Sequence, residues 1–256
     1  MKPLRLLQFN IQYGQNWNES SPDHAPCDLE STIETIRRLS PDVIHLQEVE
    51  QVGVGGVHPE PPPNYTRLRA ALSGYDSCFS YPRPDPRELP FGIGLAIFSR
   101  TRLHDCFRED LPSPPVEFVF DNQTTTPTDR LLIGATTKIG GHTLSLLNTH
   151  LLAFFMLNTT SIEHPEQRQR IATHLQGARG PTLLSGDFNV RNHESLRAQF
   201  KREGFTTVQY EKPTWKRQPY VLDHIFYNNE LRCVSHEVIT TPASDHHAIV
   251  ADFEFV

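Results

Sequence analysis

Six short segments along this 256-residue chain each end an apolar run with acid, amide or imidazole groups. They are Gln8-Phe9-Asn10, Leu46-Gln47-Glu48, Asn148-Thr149-His150, Gly186-Asp187-Phe188-Asn189, Leu222-Asp223-His224 and Ser244-Asp245-His246. Carboxylates and carboxamides are hard oxygen donors of the kind that magnesium and manganese take, and histidines near neutrality move protons or stabilise a negative phosphate. Converged in one pocket, these groups would form a metal-assisted phosphoester hydrolase.

Convergence requires a fold that carries distant strand ends to one edge, and the local patterns supply one. Leu4 to Ile11 reads as a buried strand, and Asp28 to Leu39 as a helix with Leu29, Ile33 and Ile36 at helical spacing, stopped by Ser40-Pro41. Asp42 to Val49 is the next strand, so the order favours a βαβ unit with Asn10 and Glu48 on one rim. Gly92 to Ser99 and Leu131 to Ile139 are strand-like, and Gly140-Gly141 joins the latter to His142 through Leu151 as a hairpin. A helix is expected over Glu163 to Gln176, then a strand from Pro181, another helix over Glu194 to Arg202, and strands at Tyr220 to Tyr227, Arg232 to Ile239 and Ala248 to Phe255. Gln51 to Asn64 and Tyr81 to Pro90, rich in proline or glycine, read as surface loops. Strands alternating with a few helices suggest an α/β fold of two packed sheets with helices outside.

Composition narrows the class. Apolar residues are 37% and charged residues 21%, a globular balance without an apolar run long enough for a bilayer, so no integral membrane association is expected. The length suits a single domain over residues 1–256, and a monomer is expected. Pro3 and Arg5 interrupt the amino-terminal run, which lacks a signal-peptide core, and a cytoplasmic location is the default. Cys27, Cys78, Cys106 and Cys233 form no CxxC pair and read as reduced thiols; the 13 histidines likewise show no zinc-ligand spacing. A net charge of −6 provides no global attraction to phosphate backbones, which weighs against promiscuous nucleic-acid binding without excluding nucleic acid as a partner.

Each polar group also has a bland role. A strand-end Asn10 commonly caps a turn, and a glutamate usually faces water; Glu48 gains weight because it follows Val43, Ile44 and Leu46, where a half-buried carboxylate needs a partner. In Gly186-Asp187-Phe188-Asn189, glycine permits close backbone approach, and in an extended chain Phe188 points one way while Asp187 and Asn189 point the other. Asp223 can hold the ring of His246, with Asp245 facing a metal, or Asp245 can simply cap a turn. His150 is a candidate second proton carrier or phosphate donor, and Asn148 shares its strand face. His224 and His247 fall on the opposite faces and are expected to be structural.

Taken in order, these segments resemble the endonuclease/exonuclease/phosphatase superfamily across nearly the whole chain. The resemblance implies a four-layer α/β-sandwich of the DNase I-like type and Mg²⁺- or Mn²⁺-dependent hydrolysis of a phosphoester substrate. It implies Asn10, Glu48 and Asp245 at the metal, and His150, Asp187, Asn189, Asp223 and His246 as the catalytic set, with Asp187 and Asn189 positioning water or phosphate and Asp223 with His246 as the paired acid and imidazole. The repair-endonuclease branch typically carries tyrosine where His150 stands, which argues against an abasic-site enzyme.

Substrate choice is less constrained. Phosphodiesters of nucleic acid or small molecules fit best, with a sphingomyelinase-like or inositol-phosphate phosphatase activity, or non-catalytic phosphoester binding, as alternatives. Leu151, Leu152, Phe154, Phe155, Met156 and Leu157 could line a lipid-accepting pocket, although packing of a helix or loop base is favoured. Trp215, beside Lys216 and Arg217, could stack on a base, but core packing is the expected role.

Overall fold

The computed structural model describes residues 2–256. In chain order its first half contains β1 (Leu4–Asn10), α1 (Leu29–Leu39), β2 (Val43–Gln47), β3 (Glu50–Gln51), α2 (Pro63–Ala71), β4 (Asp76–Ser80), β5 (Gly92–Ile93), β6 (Leu95–Ser99), β7 (Leu103–Leu111), β8 (Phe118–Phe120) and β9 (Gln123–Thr125). There follow β10 (Arg130–Ile139), β11 (His142–His150), α3 (Glu166–Gln176), β12 (Thr182–Asp187), α4 (His193–Arg202), β13 (Phe205–Thr207), β14 (Asp223–Asn228), β15 (Leu231–Ile239) and β16 (Ala248–Phe255).

Twelve of these strands form two six-stranded sheets, ordered β15-β16-β1-β2-β6-β4 and β13-β14-β12-β11-β10-β7. Each sheet is mixed, with one central parallel pair, β1 with β2 and β11 with β12. A helix makes each crossover, because parallel neighbours cannot be joined by a tight turn. The helix α1 begins at Asp28, whose carboxylate accepts from the Glu30 backbone N–H at 3.1 Å. It buries Leu29, Ile33 and Ile36 and ends at Ser40 in a left-handed conformation.

Three apolar clusters show four layers. Leu6, Val43, Ile97, Ile133, Leu146 and Ile249 interdigitate between the two sheets. On the outer face of the first sheet, Leu7, Phe9 and Ile44 meet α1 and Leu68 of α2. On the outer face of the second, Leu147, Leu184 and Phe226 meet Ile171 and Leu175 of α3 and Leu196 and Phe200 of α4. The expected α/β four-layer sandwich is therefore present.

Several expectations shift in detail. The third helix begins at Glu166 rather than Glu163, after Pro165, whose fixed φ suits a helix start but not its interior. Glu48 leaves the strand expected over Asp42 to Val49, with φ of 50°. The stretch Gln51 to Asn64 is not wholly loop, since α2 starts at Pro63, and β4, β7 and the β8–β9 hairpin were not anticipated.

Candidate active site

The two-residue period of a strand explains how the site forms. In β1, Leu4 and Leu6 face the other sheet, and the next positions on that face are Gln8 and Asn10. In β2 the same face carries Val43, then His45 and Gln47; in β12 it carries Leu183, then Ser185 and Asp187. Inner positions thus change from apolar to polar toward one end of the sandwich. There they pair across the sheets: Gln8 Nε2 donates to Asp223 Oδ1 at 2.6 Å, His45 Nδ1 lies 2.7 Å from Ser185 Oγ, and Gln47 Nε2 donates to Asn148 Oδ1 at 2.7 Å.

Above this row lie the groups singled out in the sequence. His150 pairs with Asp187 across β11 and β12, and Asp187 with Asp223 across β12 and β14, so three of them share one line across the second sheet. The close approach of β11 and β12 depends on glycine, because a Cβ on Gly186 would sit 2.0 Å from the Thr149 carbonyl oxygen. From the first sheet, Asn10 Nδ2 donates to Glu48 Oε1 at 2.9 Å and to Asp187 Oδ2 at 3.1 Å, drawing two carboxylates together. The Asn10 Oδ1 accepts from the Gln12 backbone N–H at 3.1 Å, which fixes the amide's orientation.

Glu48 is held in a left-handed conformation uncommon for glutamate, a local strain of the kind that concentrates at functional sites. Its side chain occupies space made by Gly92, where a Cβ would come within 2.2 Å of Glu48 Oε2. Burial, followed by the charge of Asp245, pushes the Glu48 carboxyl up to about 7. Burial and then Asp223 also push Asp187 upward.

His246 Nδ1 lies 2.8 Å from Asp223 Oδ2, and its Nε2 lies 3.6 Å from Asp187 Oδ2. Burial alone would lower the basicity of this ring, but Asp223 and then Asp187 outweigh it and raise it to about 10. His150 goes the other way, pushed well below its ordinary value by burial and then by Arg130. Asn189 Nδ2 donates at 3.0 Å both to the Leu151 carbonyl and to His150 Nε2, so that ring nitrogen is an acceptor. Phe188 turns into the outer apolar layer while Asp187 and Asn189 turn to the site, as the alternation predicts.

Asp245 sits at the rim. Its Oδ2 accepts from Arg217 Nε at 2.9 Å and from the Trp215 indole N–H at 3.2 Å, and its Oδ1 lies 4.0 Å from His246 Nε2. Trp215 is half-buried and lines the groove above the site rather than the core, which corrects the packing role expected for it. Its N–H needs a polar partner that the apolar interior would not supply. Arg217 also reaches Asp23 at 2.6 Å; like Gln8, it was not assigned a role from sequence, although its position beside Trp215 in a Trp-Lys-Arg run was a signal. His224 lies on the outer face among Phe188 and Phe226, as expected.

All eight candidate residues therefore meet at one edge. Glu48, His150 and Asp187 each present a donor atom within 4.8 Å of the others, as do Asp187, Asp223 and His246. The second group is already satisfied by the Asp223–His246 pair and Gln8. The first brings the buried Asp187 and the half-buried Glu48 carboxylates together with, among the described residues, no lysine or arginine paired to either, and that donor set fits a hard divalent cation.

Residues 7–246 match the model of the endonuclease/exonuclease/phosphatase family. The chain belongs to that family. Among solved structures it is similar to an endonuclease/exonuclease/phosphatase from Beutenbergia cavernae, with a TM-score of 0.75 and 21% identity over 100% of this chain and 72% of that one. It is also similar to the human Nocturnin catalytic domain with bound sulfate anion, with a TM-score of 0.64 and 23% identity over 99% of this chain and 95% of the other. A UPF0294 protein from Photorhabdus laumondii is 30% identical over 123 residues, 43% of this chain and 42% of that protein. The match thus spans less than half the length of that relative. Among the described residues, no helix is long and apolar enough to cross a membrane.

Proposed function

We propose that this chain is a divalent-metal-dependent phosphodiesterase. The observation that carries the reading is the bridging of Glu48 and Asp187 by one amide, Asn10, beside a buried Asp223–His246 pair. Glu48 would hold the metal, with Asn10 and Asp245 beside it. Bound there, Mg²⁺ or Mn²⁺ would supply positive charge to the non-bridging phosphate oxygens and to the departing oxygen.

The protein's own groups supply the rest. Asp223 fixes the His246 ring and stabilises its charged form, so Nε2 is a cationic donor facing the reacting phosphate. Asp187, the acceptor nearest to that nitrogen, orients the attacking water and takes its proton. The water oxygen bonds phosphorus as the bond to the leaving alcohol breaks, and the alkoxide is protonated from His246. Burial and then Arg130 keep His150 neutral at the edge of the site, and Asn189 orients its ring beside the phosphate pocket.

The test is a Mg²⁺ and Mn²⁺ panel of phosphomonoesters, phosphodiesters, DNA, RNA and sphingomyelin, with Asp187→Asn as the control. Metal-dependent release of product from diesters, falling by orders of magnitude in the variant without loss of folding, is expected. Turnover that survives both chelation and the substitution would sink the reading.

A further inference from the structure

The two sheets end side by side at the edge strands β4 and β7, which lie against each other on one flank of the sandwich. The Asp76 carboxylate of β4 accepts from the Leu103 backbone N–H of β7 at 2.8 Å, which fixes the two strands together at their first residues. Cys78 stands opposite Ile97 and shares its inward face, so its thiol points into the layer between the sheets. On β7, Phe107 stacks on His174 of α3 and Leu111 packs in the outer layer, which leaves Cys106 on the inward face.

A strict two-residue alternation would not put Cys106 there. Leu103 faces inward, so Asp105 would follow it inward and Cys106 would turn out. The register of β7 against β10 slips between Gly134 and Thr136, and Asp105, with φ of 52°, is the extra residue that returns Cys106 to the inner side. Thr136 Oγ1 donates to Asp105 Oδ2 at 2.9 Å and holds the bulge in place. The bulge thus aims one thiol at the other: Cys78 and Cys106 lie within hydrogen-bonding reach across the two sheets. Both are free thiols, with Cys106 exposed and Cys78 half-buried.

From this geometry we infer that Cys78 and Cys106 are a redox-active pair, a modification site at which hydrogen peroxide forms a disulfide that fastens the two sheets together. The exposed Cys106 reacts first as its thiolate: an S–O bond forms, the O–O bond breaks, and hydroxide leaves and takes up the proton that Cys106 gave to solvent. The Cys78 sulfur then bonds the Cys106 sulfur as the S–O bond breaks, and the second hydroxide departs with the Cys78 proton as water. Two thiols lose two electrons in all, and one peroxide becomes two waters. An external dithiol restores the pair by exchange. No residue of the candidate active site belongs to β4 or β7, so the bond forms with or without a metal.

The whole protein serves for the test, without metal or substrate. After one equivalent of hydrogen peroxide, an alkylating agent should label two of the four thiols, and a digest should give a linked Cys78–Cys106 peptide that dithiothreitol separates. Closing a loop of roughly 28 residues should raise Tm by roughly 6–14 °C. Cys106→Ser, at an exposed position, should lose both the linked peptide and the rise, while its Tm under reducing conditions stays within about 2 °C of that of the parent. Four labelled thiols after peroxide, a linkage through Cys27 or Cys233, oxidation of Cys106 that stops at the sulfinic acid, or a linked protein whose Tm does not rise would each overturn the inference.

Discussion

Asp223 Oδ2 and His246 Nδ1 lie 2.8 Å apart with both side chains buried, and the second oxygen of Asp223 is claimed by Gln8. The carboxylate therefore fixes which nitrogen of the ring faces Asp187. In Asp223→Asn the amide can still fill the space and bond the ring, but the charge that stabilises imidazolium is lost. Steady-state kinetics should show kcat falling roughly 10³-fold or more, with an unfolding midpoint close to that of the parent. A loss below about tenfold would mean that His246 does not act through this partner.

Gly92 is a positioning residue for Glu48. A Cβ there would come within 2.2 Å of Glu48 Oε2 and 2.4 Å of Glu48 Cβ, so Gly92→Ala must displace the carboxylate. Calorimetric titration with Mn²⁺ should show affinity about 10- to 100-fold weaker. Affinity equal to that of the parent protein would remove Glu48 from the metal-binding set.

Gly186→Ala should act on the scaffold and the site together. The added carbon meets the Thr149 carbonyl, backbone on both sides, so neither strand can yield without parting β11 from β12. A cost of about 3 kcal/mol would lower Tm by roughly 6–12 °C, and the His150–Asp187 row should lose alignment. A thermal scan showing no shift would mean that the strand pair adapts more freely than its spacing allows.

His45 gives a pH signature of stability independent of the metal. Complete burial lowers its basicity from 6.5 to about 3, so the folded protein keeps it neutral while the unfolded chain takes a proton below 6.5. Its contribution is whole above pH 6.5 and is lost as pH falls toward 3, at about 1.4 kcal/mol per pH unit. Between pH 7.5 and 5 the unfolding free energy should therefore drop about 2 kcal/mol further in the parent than in His45→Gln. Denaturant titrations at the two pH values measure the difference, and equal slopes would show that the ring is not kept neutral.

The central strands and α1 were legible because their burial is two-sided or amphipathic. Leu4 to Asn10, Ala248 to Phe255 and the Gly140-Gly141 hairpin lie where the sequence pattern puts them. The unread elements are those that bury little. In β7, His104 to Phe107 and Arg108 face solvent at a sheet edge, and α2 buries only Leu68, so neither shows a period. The eight candidate site residues could be read from their order, but not from any one of them. Which atoms meet was beyond the sequence, because Asn10 bridging Glu48 and Asp187 depends on two sheets brought face to face. Trp215 was misjudged for the same reason, since its partner Asp245 is 30 positions away.

The row of cross-sheet pairs Gln8–Asp223, His45–Ser185 and Gln47–Asn148 has a mechanical consequence. Apolar layers tolerate sliding, whereas directional bonds between fixed strand positions do not. This seam works as a dowel that sets the offset of one half of the molecule against the other. Loops around the mouth can then change freely in length and chemistry while the reacting atoms keep their spacing.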